Sequence, residues 1–269
     1  MPLRKQFNYQ NKQLSYQVTG SGFKVVLVHG FGEDGTIWEN QFEAFPGYQL
    51  IIPDLPGSGA SEMIKDMSIE GLAEALKHLL DFELNNNGFI MIGHSMGGYV
   101  TLAFVEKYPE MLVGFGLFHS TAFADNEEKI ATRKKGIEFI KANGALSFLK
   151  TSIPNLYAPV TKEQKPQLIE QHIQSAQRFT NAALIAYYES MIQRPDRIQI
   201  LNQTKIPVLF ILGRHDTAIP LQDGLQQAHM PQLSYIHILE NSGHMGMIEE
   251  IQKVNTLLKE FFVDFPNNV

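Results

Sequence analysis

Phe89-Ile90-Met91-Ile92-Gly93-His94-Ser95-Met96-Gly97-Gly98 is the stretch from which the fold is read. Its first four residues form a short, wholly apolar run of the kind that fills a strand covered on both faces. Gly93-His94-Ser95-Met96-Gly97 follows at once and fits the pattern G-x-S-x-G. Residues 97–108 then read as a helix stopped by Pro109. A sharp strand-to-helix turn here pushes the Ser95 side chain out of the sheet, and the flanking glycines let neighbouring backbones approach. Five letters alone recur by chance in roughly one chain in ten. The strand before them and the helix after them give the match its weight.

The same grammar extends in both directions. Residues 4–9 and 13–19 alternate polar and apolar around Gln10-Asn11-Lys12, which predicts an antiparallel hairpin. Continuous apolar runs then recur at 25–28, 50–52, 111–118, 208–212 and 234–239. In residues 68–84, Ile69, Leu72, Ala73, Leu76, Leu79 and Leu80 keep helical spacing, with Ser68 as N-cap. Strands alternating with helices predict an α/β fold with a mostly parallel sheet. Residues 122–196 break the rhythm with helical patterns at 126–142, 145–151, 162–179 and 181–193, and no strand signal. Asp125 or Asn126 and Thr161 are the cap candidates. The organisation read from this is a core of residues 1–121 and 197–269 interrupted by a helical cap, 122–196, over the carboxyl edge of the sheet.

The 269 residues carry 22 Lys+Arg against 28 Asp+Glu, a net charge of −6. Acidity without a basic cluster argues against nucleic acid or an anionic membrane as partner. With no cysteine, thiolate metal sites and a cysteine nucleophile are excluded. No apolar run approaches the ~20 residues of a membrane span, and the N-terminus lacks a signal-peptide pattern. The expectation is a cytoplasmic monomer or homodimer acting on a small molecule, with no cofactor and no metal.

A serine hydroxyl is a poor nucleophile until a base takes its proton and a third group orients that base. Asp216, in Gly213-Arg214-His215-Asp216, ends one apolar run; His244, in Ser242-Gly243-His244-Met245, follows the next. Both stand where a loop leaves the carboxyl end of a strand, the edge that carries Ser95. Asp216 as a cap for the helix near Leu221, and His244 as a surface loop histidine, are the plainer alternatives. Glu33 and Asp34 lie on another loop and are read as solvated. His29-Gly30-Phe31-Gly32 follows the 25–28 run, so the Phe31 and Met96 backbone N–H groups are the candidate oxyanion hole. An ordinary glycine-rich turn is the alternative there. Gly30, Gly32 and Gly35 satisfy a bare G-x-G-x-x-G, but two acids stand where phosphates would sit. Trp38, the single tryptophan, is read as core. His119, Phe148 and Tyr187 are the candidates for lining a substrate pocket.

Together these motifs, with Asp54-Leu55-Pro56-Gly57-Ser58-Gly59-Ala60-Ser61, resemble the α/β-hydrolase superfamily over essentially the whole chain. The resemblance implies an eight-stranded, mostly parallel sheet with N-terminal antiparallel strands, a helical cap after strand six, and Ser95, Asp216 and His244 as the triad. The aromatic and aliphatic balance of the cap points to a small, fairly apolar ester, thioester or lactone as the substrate. A ligand-sensing receptor of slow turnover and a C–C hydrolase or lyase are the alternatives on the same scaffold. The C–C hydrolases are disfavoured because their polar substrate clamp has no placeable counterpart in this cap. Enzymes with a carboxylate nucleophile at the turn are excluded by Ser95.

Overall fold

A computed structural model describes residues 2–84 and 88–265, and its apolar runs are strands of one eight-stranded sheet. The strands are β1 (Leu3–Tyr9), β2 (Lys12–Gly20), β3 (Phe23–Val28), β4 (Tyr48–Pro53), β5 (Phe89–His94), β6 (Leu112–Phe118), β7 (Val208–Gly213) and β8 (Ser234–Leu239). Their order is β1-β2-β4-β3-β5-β6-β7-β8. β1 and β2 pair antiparallel, as do β2 and β4; every other pairing is parallel. The hairpin turn is tighter than its sequence suggests. Gln10 and Asn11 alone make it, both at positive φ (53° and 61°), and Lys12 already belongs to β2.

Helices cover both faces. α1 (Ile69–Glu83) starts at the expected cap, where Ser68 Oγ accepts from Gly71 N–H at 3.0 Å. α2 (Met96–Lys107) follows β5 with only Ser95 between them. The centre of the sheet is dry: β5 and β7 are buried along their whole length, and Trp38 is buried as expected.

Between β6 and β7 the chain forms α3 (Glu127–Asn143), α4 (Ala145–Ser152), α5 (Pro159–Gln164), α6 (Pro166–Ser175), α7 (Asn181–Gln193) and α8 (Ile198–Gln203). α9 (Leu221–Ala228), α10 (Gly246–Glu249) and α11 (Ile251–Val263) complete the fold. Asn126 caps α3 and Gly144 ends it at φ 87°. The helix expected over 162–179 is broken: Pro166 lacks the N–H needed to continue α5 and opens α6 instead. Thr161 is accordingly no cap. It lies inside α5, with its hydroxyl donated to Glu249 Oε1 at 2.7 Å. The inserted helices leave and return at one point, where Arg197 N–H donates to the Ala122 carbonyl at 2.8 Å.

Candidate active site

The turn after β5 holds Ser95 at φ 53°, a backbone conformation that L residues seldom adopt. Three bonds fix it: Ser95 N–H to the Phe118 carbonyl, and Gly98 N–H and Ser120 Oγ to the Ser95 carbonyl. Gly97 is required by close approach, since a Cβ there would stand 2.5 Å from the Val28 and His29 carbonyl oxygens of the neighbouring strand end. The side chain of Ser95 is thereby aimed over the carboxyl edge of the sheet.

Asp216 and His244 meet at that edge. His244 Nδ1 donates to Asp216 Oδ2 at 2.8 Å, and Asp216 Oδ1 accepts from Ala218 and Ile219 N–H. Asp216 therefore caps no helix; Pro220 holds the N-cap position of α9. Burial alone would raise the Asp216 carboxyl, but the charge of His244 and hydrogen bonds from His119 and His244 hold it well below the usual carboxylate range. Burial likewise works against charge on His244, yet the Asp216 carboxylate outweighs it and raises its affinity for a proton. Ser95 and His244 line one cavity of about 140 Å³. Among the described residues no hydrogen bond joins their side chains, and such bonds often tighten only around substrate. Phe31 and Met96 flank Ser95, and neither backbone N–H is taken by a protein acceptor among the described residues.

His119, a candidate for the pocket, lies behind the acid instead. Fully buried at the end of β6, it donates from Nδ1 to the same Asp216 Oδ2 at 3.1 Å. Burial, against the pull of Asp216, lowers it to about 4, so the ring is neutral. Its bare Nε2 packs toward Gly246 without a partner. His119, Asp216 and His244 form a cluster with donor atoms within 4.8 Å, close enough for a metal ion. Two N–H groups converging on one carboxylate oxygen account for that closeness without an ion.

The loop after β3 departs most from expectation. Glu33 and Asp34 are buried, not solvated. Asp34 Oδ1 caps the short 3-10 helix, Gly35–Gln41, that carries Trp38. Glu33 Oε2 accepts from Gly30 N–H at 2.7 Å and from His94 Nδ1 at 2.9 Å. His94 Nε2 meets the His244 carbonyl oxygen at 2.9 Å. Burial would raise Glu33, but the charge and hydrogen bond of His94, with the Gly30 N–H, bring it down to about 2. The two ring nitrogens of His94 thus reach one oxygen each, Glu33 Oε2 on one side and the His244 carbonyl on the other. The buried Glu33–His94 contact thus ties the Phe31 loop, the Ser95 turn and the His244 loop together.

The inserted helices roof the cavity. Phe31 stacks on Tyr188 of α7, centroids 4.4 Å apart. Leu149, Arg133, Tyr188 and Met191 reach the cavity wall; Phe148 and Tyr187 do not. Phe148 packs edge-on against Phe31 and Tyr188 from outside. Tyr187 turns to the core, its hydroxyl 2.8 Å from Ser58 Oγ and donated to the Pro56 carbonyl at 2.6 Å. Sequence reading missed Arg133 entirely: it stands in Arg133-Lys134-Lys135, where nothing distinguishes one basic residue from the next.

Known proteins resemble this chain in sequence and fold. A 2-hydroxy-6-oxononadienedioate/2-hydroxy-6-oxononatrienedioate hydrolase from Paraburkholderia phymatum is 26% identical, covering 93% of this chain and 90% of its own. The structure of a thermophilic esterase from Thermogutta terrifontis superposes with a TM-score of 0.90 at 27% identity, over 98% of both chains. An enol-lactonase from Burkholderia xenovorans LB400 shares the fold at a TM-score of 0.87 and 20% identity, over 96% of this chain and all of the other. The sequence profile described as alpha/beta hydrolase fold matches residues 24–251. With that match spanning most of the chain and the sheet, turn and helices in place, the protein belongs to the alpha/beta hydrolase fold family.

Proposed function

We propose that the protein is a serine hydrolase that cleaves a small carboxylic ester, thioester or lactone through an acyl-enzyme on Ser95. The observation that carries this reading is the position of Ser95 on one cavity with His244, whose far nitrogen is bound to Asp216 at 2.8 Å. His244 takes the Ser95 proton as oxygen attacks the acyl carbonyl. The Phe31 and Met96 N–H groups hold the oxyanion, and Met96 adds the positive end of α2. The leaving group departs with the proton from His244; water, deprotonated by the same ring, then releases the acid. No cofactor enters these steps.

The test is labelling with a fluorophosphonate followed by a panel of short esters, thioesters and lactones. Ser95 takes the label, and Ser95→Ala lowers turnover by at least about 10⁴. A Ser95→Ala protein that turned over p-nitrophenyl esters at the wild-type rate would falsify the assignment. A second reading, carbon–carbon bond hydrolysis, draws support from the relative named as a hydrolase of 2-hydroxy-6-oxo dienedioates, which aligns over 93% of this chain. Cleavage of a 2-hydroxy-6-oxodienoate faster than of any ester selects that reading.

A further inference from the structure

The cavity beside Ser95 holds a cation that its protein neighbours leave only partly neutralised. Arg133, on α3, lines it together with Ser95 and His244, its side chain 15% exposed. Two of its five N–H groups go to Asp125, from Nε at 2.5 Å and from Nη2 at 3.3 Å. Asp125 also accepts from Arg194 Nη2 at 3.0 Å, so one carboxylate serves two guanidiniums and the trio keeps a net positive charge. Arg194 is spent elsewhere: it donates to the Met191 and Phe123 carbonyls and lies 3.9 Å over the Tyr99 ring. Arg133 is not. Among the described residues no acceptor takes its Nη1, and its Cζ stands 5.6 Å from the Tyr188 ring on the same wall. The acid that lines the cavity, Glu33, is committed to His94 and Gly30.

A cation that shares its one carboxylate partner, on a cavity wall that also carries Leu149, Ile153 and Met191, gains from an anion that completes it. The free edge of a guanidinium fits a carboxylate through two parallel N–H bonds. We propose that Arg133 anchors a carboxylate that the substrate carries away from its scissile bond. The preferred substrates are then half-esters or lactones of small dicarboxylic acids. This rests on the acyl-transfer reading for the bond that is cut, but not for the anchor itself.

The experiment compares mono-p-nitrophenyl glutarate with p-nitrophenyl 5-methylhexanoate, in which an isopropyl group replaces the carboxylate at equal chain length. Wild type prefers the glutarate ester at least tenfold in kcat/KM. Arg133→Met lowers the glutarate value roughly 10–100-fold, the range for a charged hydrogen-bonded contact, and moves the neutral ester less than about threefold. Arg133→Lys restores charge without the fork, recovers part of the loss, and serves alone if the Met variant does not fold. Preference for the neutral ester, or an equal fall on both esters, overturns the proposal and leaves Arg133 a structural partner of Asp125. Glutarate binding by calorimetry separates the two readings. If Ser95 takes no label and neither ester turns over, the acyl-transfer reading falls. Glutarate that binds wild type and is lost in Arg133→Met then still supports the anchor, whereas no binding overturns it.

Discussion

Glu33→Gln isolates the charge of the buried pair beneath the Phe31 loop. The amide keeps the shape and an oxygen where Gly30 N–H and His94 Nδ1 now donate at 2.7 and 2.9 Å. What goes is the anion. His94 then loses the carboxylate that fixes its ring, and its hold on the His244 carbonyl weakens with it. Hydrogen bonds to charged groups contribute about 1.5–3 kcal/mol against about 0.5–1.5 kcal/mol for neutral ones, so weakening two costs about 2–3 kcal/mol. A second route agrees. Holding the Glu33 carboxyl at about 2 rather than its ordinary 4.5 corresponds to roughly 3 kcal/mol at neutral pH. For a chain of this size that lowers Tm by roughly 6–12 °C.

The sign of the acid dependence follows from the depressed carboxyl. Its contribution is complete above pH 4.5 and fades as pH falls toward 2, because the unfolded chain takes up the proton first. Urea unfolding of both proteins at pH 7 and pH 3 reads this directly, with a gap of about 3 kcal/mol at pH 7 that narrows at pH 3. A Gln variant as stable as wild type at pH 7, or a gap unchanged at pH 3, refutes the charged pair. Turnover is also expected to fall roughly tenfold, less than the 10²–10³ that follows loss of a whole oxyanion donor, because the Phe31 N–H is loosened and not removed.

Asp216→Asn puts an amide where two imidazole N–H groups converge, and kcat is expected to fall by about 10⁴; a loss under tenfold shows that the acid does not orient His244. Because Asp216 raises the proton affinity of His244 and the base works only when neutral, kcat/KM declines as pH falls through a value above 6.5. A pH–rate profile with its acidic limb below 6.5 contradicts this. Gly97→Ala drives a methyl into two backbone carbonyls that have no rotamer to change, and thermal unfolding should show at least about 2 kcal/mol of lost stability. An unchanged Tm removes the case for close packing at the turn.

The signals legible in the chain were local ones. A strand is an apolar run, a helix a periodicity, and the Ser95 turn a glycine spacing between the two, so the sheet, the inserted helices and the approximate helix boundaries follow from neighbours a few residues apart. Pro166 was such a local signal as well, overlooked within the expected 162–179 helix. Asp216 and His244 could be placed because each stands just past an apolar run, and parallel strands bring all such ends to one edge.

Tertiary packing decided what faces what. Tyr187 and Tyr188 are neighbours in sequence but about 100° apart around α7. Docking of that helix turned one toward Ser58 and the other onto Phe31, a choice set by rigid-body placement and not by residue type. His119 reads as a pocket residue until strand pairing sets β7 beside β6 and brings it to Asp216, 97 residues away. Glu33 reads as solvated because a carboxylate usually is. Only the fold supplies His94, 61 residues on, as the partner that satisfies the buried carboxylate, and only the fold brings Arg133 to the cavity of Ser95 with N–H groups to spare.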